Sequence, residues 1–347
     1  MPENLKNILI IKPSSLGDIV LALPALTALR KAFPDAKISW LIRPEFSKLL
    51  QNHPHLDNLI IFDRDLLGRA LCRSYAFTSL LSLICRLRHS KFDAVIDLQG
   101  LFRTASLAWL SGCKKRFGMA NAKELAHLFY THKVAQDQNC IHLVDYYLKI
   151  VRTITASETQ PRFIFPKAPQ ALDSVAALLA DNGIKPDNYA VLIIGSAHRD
   201  KCWPIQRFAV LADEISSQFH LSIAAVGSES ERDAVENLKA LANVPIANLA
   251  GRTSLSELPV LLKAARLVIS NDTGPGHIAA ALGTPIVMIF GRSNPARVAP
   301  YARPQCFVAI EPDKRGLQPD STNPKHNINN ITIPQVYQKV REQINQI

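Results

Sequence analysis

Apolar residues along the chain fall in short runs, and their spacing predicts alternating strands and helices. Asn7–Lys12 (NILIIK) is apolar on both faces, as a central parallel strand must be. A loop, Pro13-Ser14-Ser15-Leu16-Gly17, leads into a helix predicted from Asp18 to Phe33, which Pro34-Asp35 ends. Lys37–Ile42, Asn58–Phe62 and Asp93–Asp97 predict further strands, and Leu98-Gln99-Gly100 leads from the last into a helix. This β-α-β-α rhythm predicts a doubly wound parallel sheet. Between Thr153 and Lys167 it pauses, and Pro161 and Pro166 mark a linker. It resumes with strand Tyr189–Ile194, loop Gly195–Pro204, helix Ile205–Phe219 and strand Ser222–Val226. Strands Leu267–Ser270 and Ile286–Phe290 flank a helix over Gly276–Leu282. Beyond Pro304 the pattern weakens until an amphipathic helix, Ile333–Ile347, closes the chain. There is no short-period repeat and no low-complexity tract. The pattern predicts an α/β protein with one Rossmann-like domain over 1–160 and a second over 161–330. A closing helix over 331–347 is expected to pack back toward the N-terminal domain. Ligands of such folds bind at the carboxyl ends of the strands, so a cleft between two parallel sheets is the expected site.

The length of 347 residues suits two domains, and 48% apolar against 20% charged residues supports two cores. Net charge changes the picture more. Residues 1–165 hold 22 Lys and Arg against 13 Asp and Glu, whereas residues 166–347 hold 18 against 16. The basic N-terminal half therefore predicts an anionic partner. It has no interleaved aromatics or recognition-helix signature, so nucleic acid is a poor candidate. Cysteines at 72, 85, 113, 140, 202 and 306 form no C-x-x-C pair. They read as thiols of a reducing cytosol, not as a zinc site or disulfide framework. The first apolar run, Ile8–Ile11, is short and ends at Lys12, so no signal peptide is expected. Leu66–Leu87 is the longest membrane candidate, but Arg69, Arg73 and Arg86 interrupt it. Its uncharged part, Ser74–Cys85, is far short of the roughly 20 residues a spanning helix needs. It is expected to be a surface helix with one buried face, an interfacial helix being the alternative.

The candidate chemistry sits in loops that follow strands. After Ser270 comes Asn-Asp-Thr-Gly-Pro-Gly-His, then a helix. Glycines and a fresh helix start make a seat for a diphosphate, with donors from Thr273 and His277. Asp272 would repel phosphate and suits sugar hydroxyls better. A plain turn with Asp or Thr as helix cap is the simpler alternative. In Gly195–Pro204, Ser196 and Lys201 could hold phosphate, Lys201 as a mobile point charge, or the loop could be merely solvated. In Gly227-Ser228-Glu229 an acid after a strand could accept from ribose hydroxyls, or face solvent. Asp18 lies near a helix start, where the dipole favours its ionised form. It could serve as a base toward a sugar hydroxyl, or simply cap the helix. The basic candidates of this half are Arg64, Arg103, Lys114, Lys115, Arg116 and Lys123. A P-loop, a G-x-G-x-x-G after the first strand, a G-x-S-x-G elbow and metal-ligand spacing are all absent, which argues against NTPases, nicotinamide dehydrogenases and serine hydrolases.

The blocks KPSSLGDIVLALPAL and SNDTGPGHIAAALGTPIVMIFG resemble the signatures of bacterial ADP-heptose:lipopolysaccharide heptosyltransferases. DLQGLFRTA, AKELAHLFY and RDKCWP extend the resemblance over about residues 7–302 and are most similar to heptosyltransferase I. The resemblance implies a GT-B fold and inverting, metal-independent transfer without a cofactor. Its implied donor is ADP-heptose, and its acceptor is Kdo-bearing lipid A at the cytoplasmic face of the inner membrane. It gives Asp18 the role of base. It places the donor phosphates at Lys201 and Ser196, the ribose at Glu229 or the nearby Glu231, and the heptose at Asp272. Thr273, Gly274 and His277 form the implied diphosphate turn, and Ser14, Ser15, Arg64, Arg103 and Lys123 face the acceptor. Pro275 and Gly291-Arg292 depart from the family pattern, and Arg292 is placed to reach the donor. The rivals are a transferase of the same fold with another sugar or acceptor, including a heptosyltransferase II-like enzyme, and a non-catalytic sugar-nucleotide binder.

Overall fold

The computed structural model describes residues 5–67, 74–137, 140–156 and 160–345. It divides into two compact units, Met1–Lys167 and Ala168–Ile347, so the division falls at the far end of the expected linker. In the first unit the described strands are β1 (Asn7–Ile11), β2 (Lys37–Ile42), β3 (Asn58–Ile61), β4 (Ala94–Asp97), β5 (Arg116–Met119) and β6 (His132–Val134). All pair in parallel, in the order β3-β2-β1-β4-β5-β6. Ile8, Leu9, Ile10 and Ile11 are fully buried, which a strand with helices on both faces requires. The first helix, Leu16–Ala32, starts two residues earlier than expected, because Ser15 takes the N-cap and Asp18 the third helical position.

Helix Ser74–His89 settles the long apolar stretch. Its inner face, with Leu83 and Leu87, joins the core around Leu9, Leu41 and Val95, while Tyr75, Phe77 and Leu81 stay exposed. Arg69, Arg73 and Cys72 lie outside the described residues. Among those described, no helix is long and apolar enough to cross a membrane. The five described cysteines are free. Burial pushes the thiols of Cys113, Cys140, Cys202 and Cys306 up, and Cys140 reaches about 11.

The second unit repeats the plan. Its strands are β7 (Tyr189–Ile193), β8 (Ser222–Ala225), β9 (Ile246–Asn248), β10 (Leu267–Asn271), β11 (Ile286–Phe290) and β12 (Phe307–Ala309). They run parallel in the order β12-β11-β10-β7-β8-β9, so the winding matches that of the first sheet. Trp203, Phe208 and Phe290 are almost fully buried here, each burial worth roughly 1.5–3 kcal/mol. The closing helix, Ile333–Ile344, buries Val336 and Val340 in the core of the second unit, against β11, β12 and helix Ile205–Phe219.

In each sheet the order reverses between the first and fourth strands of the unit. Such a switch point opens a crevice at the carboxyl ends, because the loops after its two strands leave toward opposite faces. In the first unit it lies between the loops after β1 and β4, and in the second between those after β7 and β10. Most candidate site residues follow one of these four strands, but Arg64 follows β3, Lys123 follows β5 and Glu229 follows β8.

Candidate active site

In the second unit the switch point gathers the loop after β10 and the loop after β7. Asn271 ends β10 fully buried and ties the two together. Its side chain accepts from the Trp203 N–H at 3.0 Å and donates to the Ile194 carbonyl at 2.7 Å. Asp272 follows, its side chain only 10% exposed. Its Oδ2 lies 3.3 Å from Lys201 Nζ and its Oδ1 3.2 Å from His277 Nε2. Ser196 Oγ donates to the Asp272 carbonyl at 3.3 Å. Burial alone would raise the Asp272 carboxyl, but His277, then Lys201 and the Ser293 hydroxyl, outweigh it and hold the group well below the usual carboxylate range. Asp272 is thus a fixed anion that positions one cation and one imidazole.

Thr273 is the N-cap of helix Gly274–Ala281, yet its side chain makes no capping bond, and Asp272 is committed elsewhere. The simple reading of this turn as a capped helix start therefore fails. Its first-turn N–H groups face outward from the helix end, except at Pro275, which has none. Gly276 serves packing: a Cβ there would lie 2.5 Å from Ser270 Oγ. The close approach this glycine permits is of helix to strand, not of backbone to ligand.

The two acids after β8 are distinguished. Glu231 Oε2 accepts from the Ser228 N–H at 2.6 Å and from its hydroxyl at 2.7 Å, and the carboxylate fills the space beside Gly195 and Gly227. Glu229 is exposed, lies over Gly251 and pairs with Arg232 at 3.0 Å. Arg292 binds Asp200 and lies 3.9 Å from Asp320, which itself stands 3.8 Å from Lys201 Nζ. Acids and cations thus alternate along the rim: Asp272, Lys201, Asp320, Arg292, Asp200.

In the first unit, Asp18 Oδ2 accepts from the Ser15 N–H at 3.2 Å and the Ser15 hydroxyl at 3.1 Å, a capping-box contact. Lys12 Nζ lies 3.7 Å from the same oxygen and 5.6 Å from the centre of the Tyr147 ring. Lys12 is 3% exposed. Burial would pull its ammonium down, but Asp18, Tyr147 and Asp97 outweigh it and hold it above the ordinary lysine value. All these contacts fall on Oδ2, which leaves Oδ1 free of protein partners among the described residues. Asp18 therefore does act in the helix cap, but with one oxygen only.

After β4, Asp97 is fully buried. It accepts from Tyr130 Oη at 2.8 Å and from the N–H groups of Gln99 and Gly100 at 2.8 and 3.2 Å, which fixes the loop before Arg103. Tyr130 comes this close because Gly118 lacks a side chain; a Cβ there would lie 2.4 Å from the ring. Ser14, Arg64 and Arg103 line one small cavity together with Arg43. Lys123 is not among its lining residues. It is exposed on the loop after β5, whose backbone bonds Gly100 at 3.0 Å. A roomier cavity of about 560 Å³ lies beside Asp93 and Lys115, at the opposite, amino-terminal edge of the sheet, away from these groups.

A family model described as glycosyltransferase family 9 (heptosyltransferase) matches residues 80–325. The chain belongs to glycosyltransferase family 9. It is accordingly a glycosyltransferase, and its two Rossmann-like units are those of the GT-B fold. The lipopolysaccharide core heptosyltransferase OpsX of Haemophilus influenzae is 28% identical over 88% of this chain and 84% of its own length. The lipopolysaccharide heptosyltransferase 1 of Pseudomonas aeruginosa is 29% identical over 88% and 84%. The lipopolysaccharide heptosyltransferase 3 of Escherichia coli is 25% identical over 80% of each. The solved heptosyltransferase WaaC of E. coli with ADP superposes with a TM-score of 0.77 at 24% identity, covering 97% of this chain and 99% of its own.

Within this family 9 enzyme, sequence reasoning missed Lys12, Arg43, Asp97, Tyr130 and Asp320 as parts of the site. Two had a readable signal. Lys12 ends an otherwise apolar central strand, and Arg43 follows another, so both stand at carboxyl ends where ligands bind.

Proposed function

We propose that this glycosyltransferase moves L-glycero-D-manno-heptose from ADP-heptose to the Kdo region of the lipopolysaccharide inner core, with inversion and without a metal or cofactor. The observation that carries the reading is the Lys201–Asp272–His277 cluster beside a helix start without a side-chain cap, a fixed set of charges suited to a sugar diphosphate. In this scheme the diphosphate lies at Thr273, Gly274 and Lys201, with Ser196 beside it. His277 belongs to the same diphosphate turn, Asp272 faces the heptose, and Glu229 takes the ribose. The acceptor is held by Ser14, Ser15, Arg64, Arg103 and Lys123, which Arg43 joins. Asp18 Oδ1 takes the proton from an acceptor hydroxyl as its oxygen bonds to the anomeric carbon. The bond from that carbon to the diphosphate breaks, and ADP leaves with the electron pair. Lys201 and the helix dipole stabilise the charge that develops on the departing ADP. The names of the relatives support a core heptosyl acceptor, and the ADP bound to WaaC supports the nucleotide. The acceptor surface is anionic and lipid-borne, so the enzyme works as a peripheral protein at the cytoplasmic face of the inner membrane.

Purified protein with ADP-heptose and Kdo-lipid A, read by mass, is expected to give one added heptose. ADP binding without transfer to any core acceptor would overturn the enzyme reading. Because heptosyltransferases 1 and 3 both match the chain, the same assay is run on an already heptosylated core. Transfer to that acceptor alone would replace the type I assignment.

A further inference from the structure

The first unit carries an apolar surface that its core does not use. Helix Phe102–Leu110 buries Ala105 and Ala108, and turns Phe102 and Trp109 outward at 51% and 54% exposure. Seven residues make about two turns, so these two rings share a face. The 3-10 turn Ala126–Phe129 packs beside this helix through Ala126 on Ala105. Phe129 stands between the two rings, its centroid 5.4 Å from Phe102 and 6.3 Å from Trp109. Leu125, which precedes this turn, and Leu128 within it are each 64% exposed. Scattered exposed apolar residues need no explanation, but a cluster built on two touching elements does.

Its charged surroundings are one-sided. Residues 97–134 hold six Lys and Arg and two acids, Asp97 and Glu124. Asp97 is buried against Tyr130, and Glu124 Oε2 accepts from the Phe102 N–H at 3.2 Å. The exposed excess is cationic, with Arg103 and Lys123 next in sequence to the patch. A second copy of the chain would bring the same cations to the interface and be repelled. An anionic phospholipid surface instead matches both features, because it accepts aromatic rings at headgroup depth and attracts basic side chains.

We propose that Phe102, Trp109, Leu125, Leu128 and Phe129 form the surface by which this protein docks on an anionic bilayer. Docking here would bring a lipid-borne acceptor directly to Arg103 and Lys123, a consequence that rests on the proposed function, whereas the docking itself does not.

The three tryptophans make the test specific. Trp40 and Trp203 are 0% and 2% exposed, so a quencher in the acyl chains reaches Trp109. The full chain is mixed with brominated-lipid vesicles of phosphatidylcholine, with or without phosphatidylglycerol. Quenching and co-sedimentation are expected with the anionic vesicles and not with the neutral ones. Trp109→Phe should abolish the quenching and leave sedimentation little changed. Leu125→Asp with Leu128→Asp should lower vesicle partition at least about tenfold, since two inserted leucines are lost. Leu125 has φ of 58°, a region that aspartate tolerates better than leucine, so the fold should survive. Equal binding to neutral vesicles, partition unchanged in the double variant, or a concentration-dependent dimer that the double variant dissolves would overturn the proposal. Transfer to a deacylated, soluble Kdo acceptor is measured in parallel. If wild-type transfer fails while anionic vesicles still bind through this patch, the functional reading falls and the docking surface stands.

Discussion

Replacing Asp18 separates its part in the helix cap from the base role proposed for it, because the contacts of its carboxylate fall on one oxygen. Oδ2 serves the helix start and Lys12, whereas Oδ1 is the oxygen available to take a proton. Asp18→Ala removes both. Loss of a general base typically costs about 10²–10⁴-fold in turnover, or roughly 2.7–5.4 kcal/mol of barrier. The structural cost is separate. Lys12 is 3% exposed and would lose its nearest carboxylate. Breaking a fully buried pair costs about 3–5 kcal/mol, but the Asp18 side chain is 31% exposed, the separation is 3.7 Å, and Tyr147 and Asp97 still favour the ammonium. About 1–2 kcal/mol is therefore expected from the charge, with roughly 1 kcal/mol more from the lost cap. For a unit of this size the sum lowers the melting temperature by about 4–12 °C. Asp18→Asn keeps an oxygen that can accept from the Ser15 N–H, so it should recover the cap term and remain as inactive as Asp18→Ala. Turnover at saturating substrates, melting by calorimetry and ADP affinity by titration read the three effects. ADP affinity should hold in both variants, because the proposed ADP seat is in the second unit. Turnover in Asp18→Asn above about a tenth of wild type would refute the base assignment, since a neutral amide cannot take the proton.

Asp272→Asn should destabilise the second unit by about 2–3 kcal/mol near pH 7, because it removes the carboxylate of His277 and the nearer of the two beside Lys201. The folded carboxyl titrates below its unfolded value, so its stabilising effect is whole above about pH 4 and is lost as pH falls further. Urea melts of both proteins should therefore converge in acid, and a gap that widened there would contradict the assigned sign. Gly276→Ala should cost about 1–3 kcal/mol by overpacking against Ser270, and Ser270→Ala should recover part of it in a double-mutant cycle. Glu229→Ala should raise the donor KM without changing the melting temperature, whereas Glu231→Ala should cost about 1 kcal/mol by uncapping its helix. The reverse pattern would move the ribose contact to Glu231. Raising salt from about 0.1 to 1 M shortens the screening length from about 10 to 3 Å and should weaken acceptor binding more than donor binding; equal sensitivity would contradict the division of charge between the halves.

The central strands were legible because a parallel strand covered on both faces must be apolar throughout. Lys37–Ile42, Ile286–Phe290 and the helix Ile205–Phe219 stand as the pattern predicts them. Of the edge strands, β3 was legible and the other three were not. β6, β9 and β12 are three residues each, and segments such as HKV and IAN have no period that separates them from loop. The closing helix was readable as a helix but not in its direction. An amphipathic face says that a partner exists and not which one, and Val336 and Val340 met the core of their own unit.

The candidate site divides in the same way. Asp18, Lys201, Asp272 and His277 could be named as candidates because each stands a few residues beyond a strand. Much of what holds the site was hidden, because those contacts join residues far apart in the chain. Asp97 meets Tyr130, Trp203 meets Asn271, and Lys201 meets both Asp272 and Asp320. No local pattern encodes such pairs, but the strand order does. Once β1 lies beside β4 and β7 beside β10, four loops that are distant in sequence must leave the sheets two by two at neighbouring strand ends. A buried acid arriving there from one loop is costly unless a donor arrives from another. Buried charges at a switch point are thus evidence about their partners, and Lys12, placed at the end of an apolar strand, already implied the carboxylate that the structure finds in Asp18.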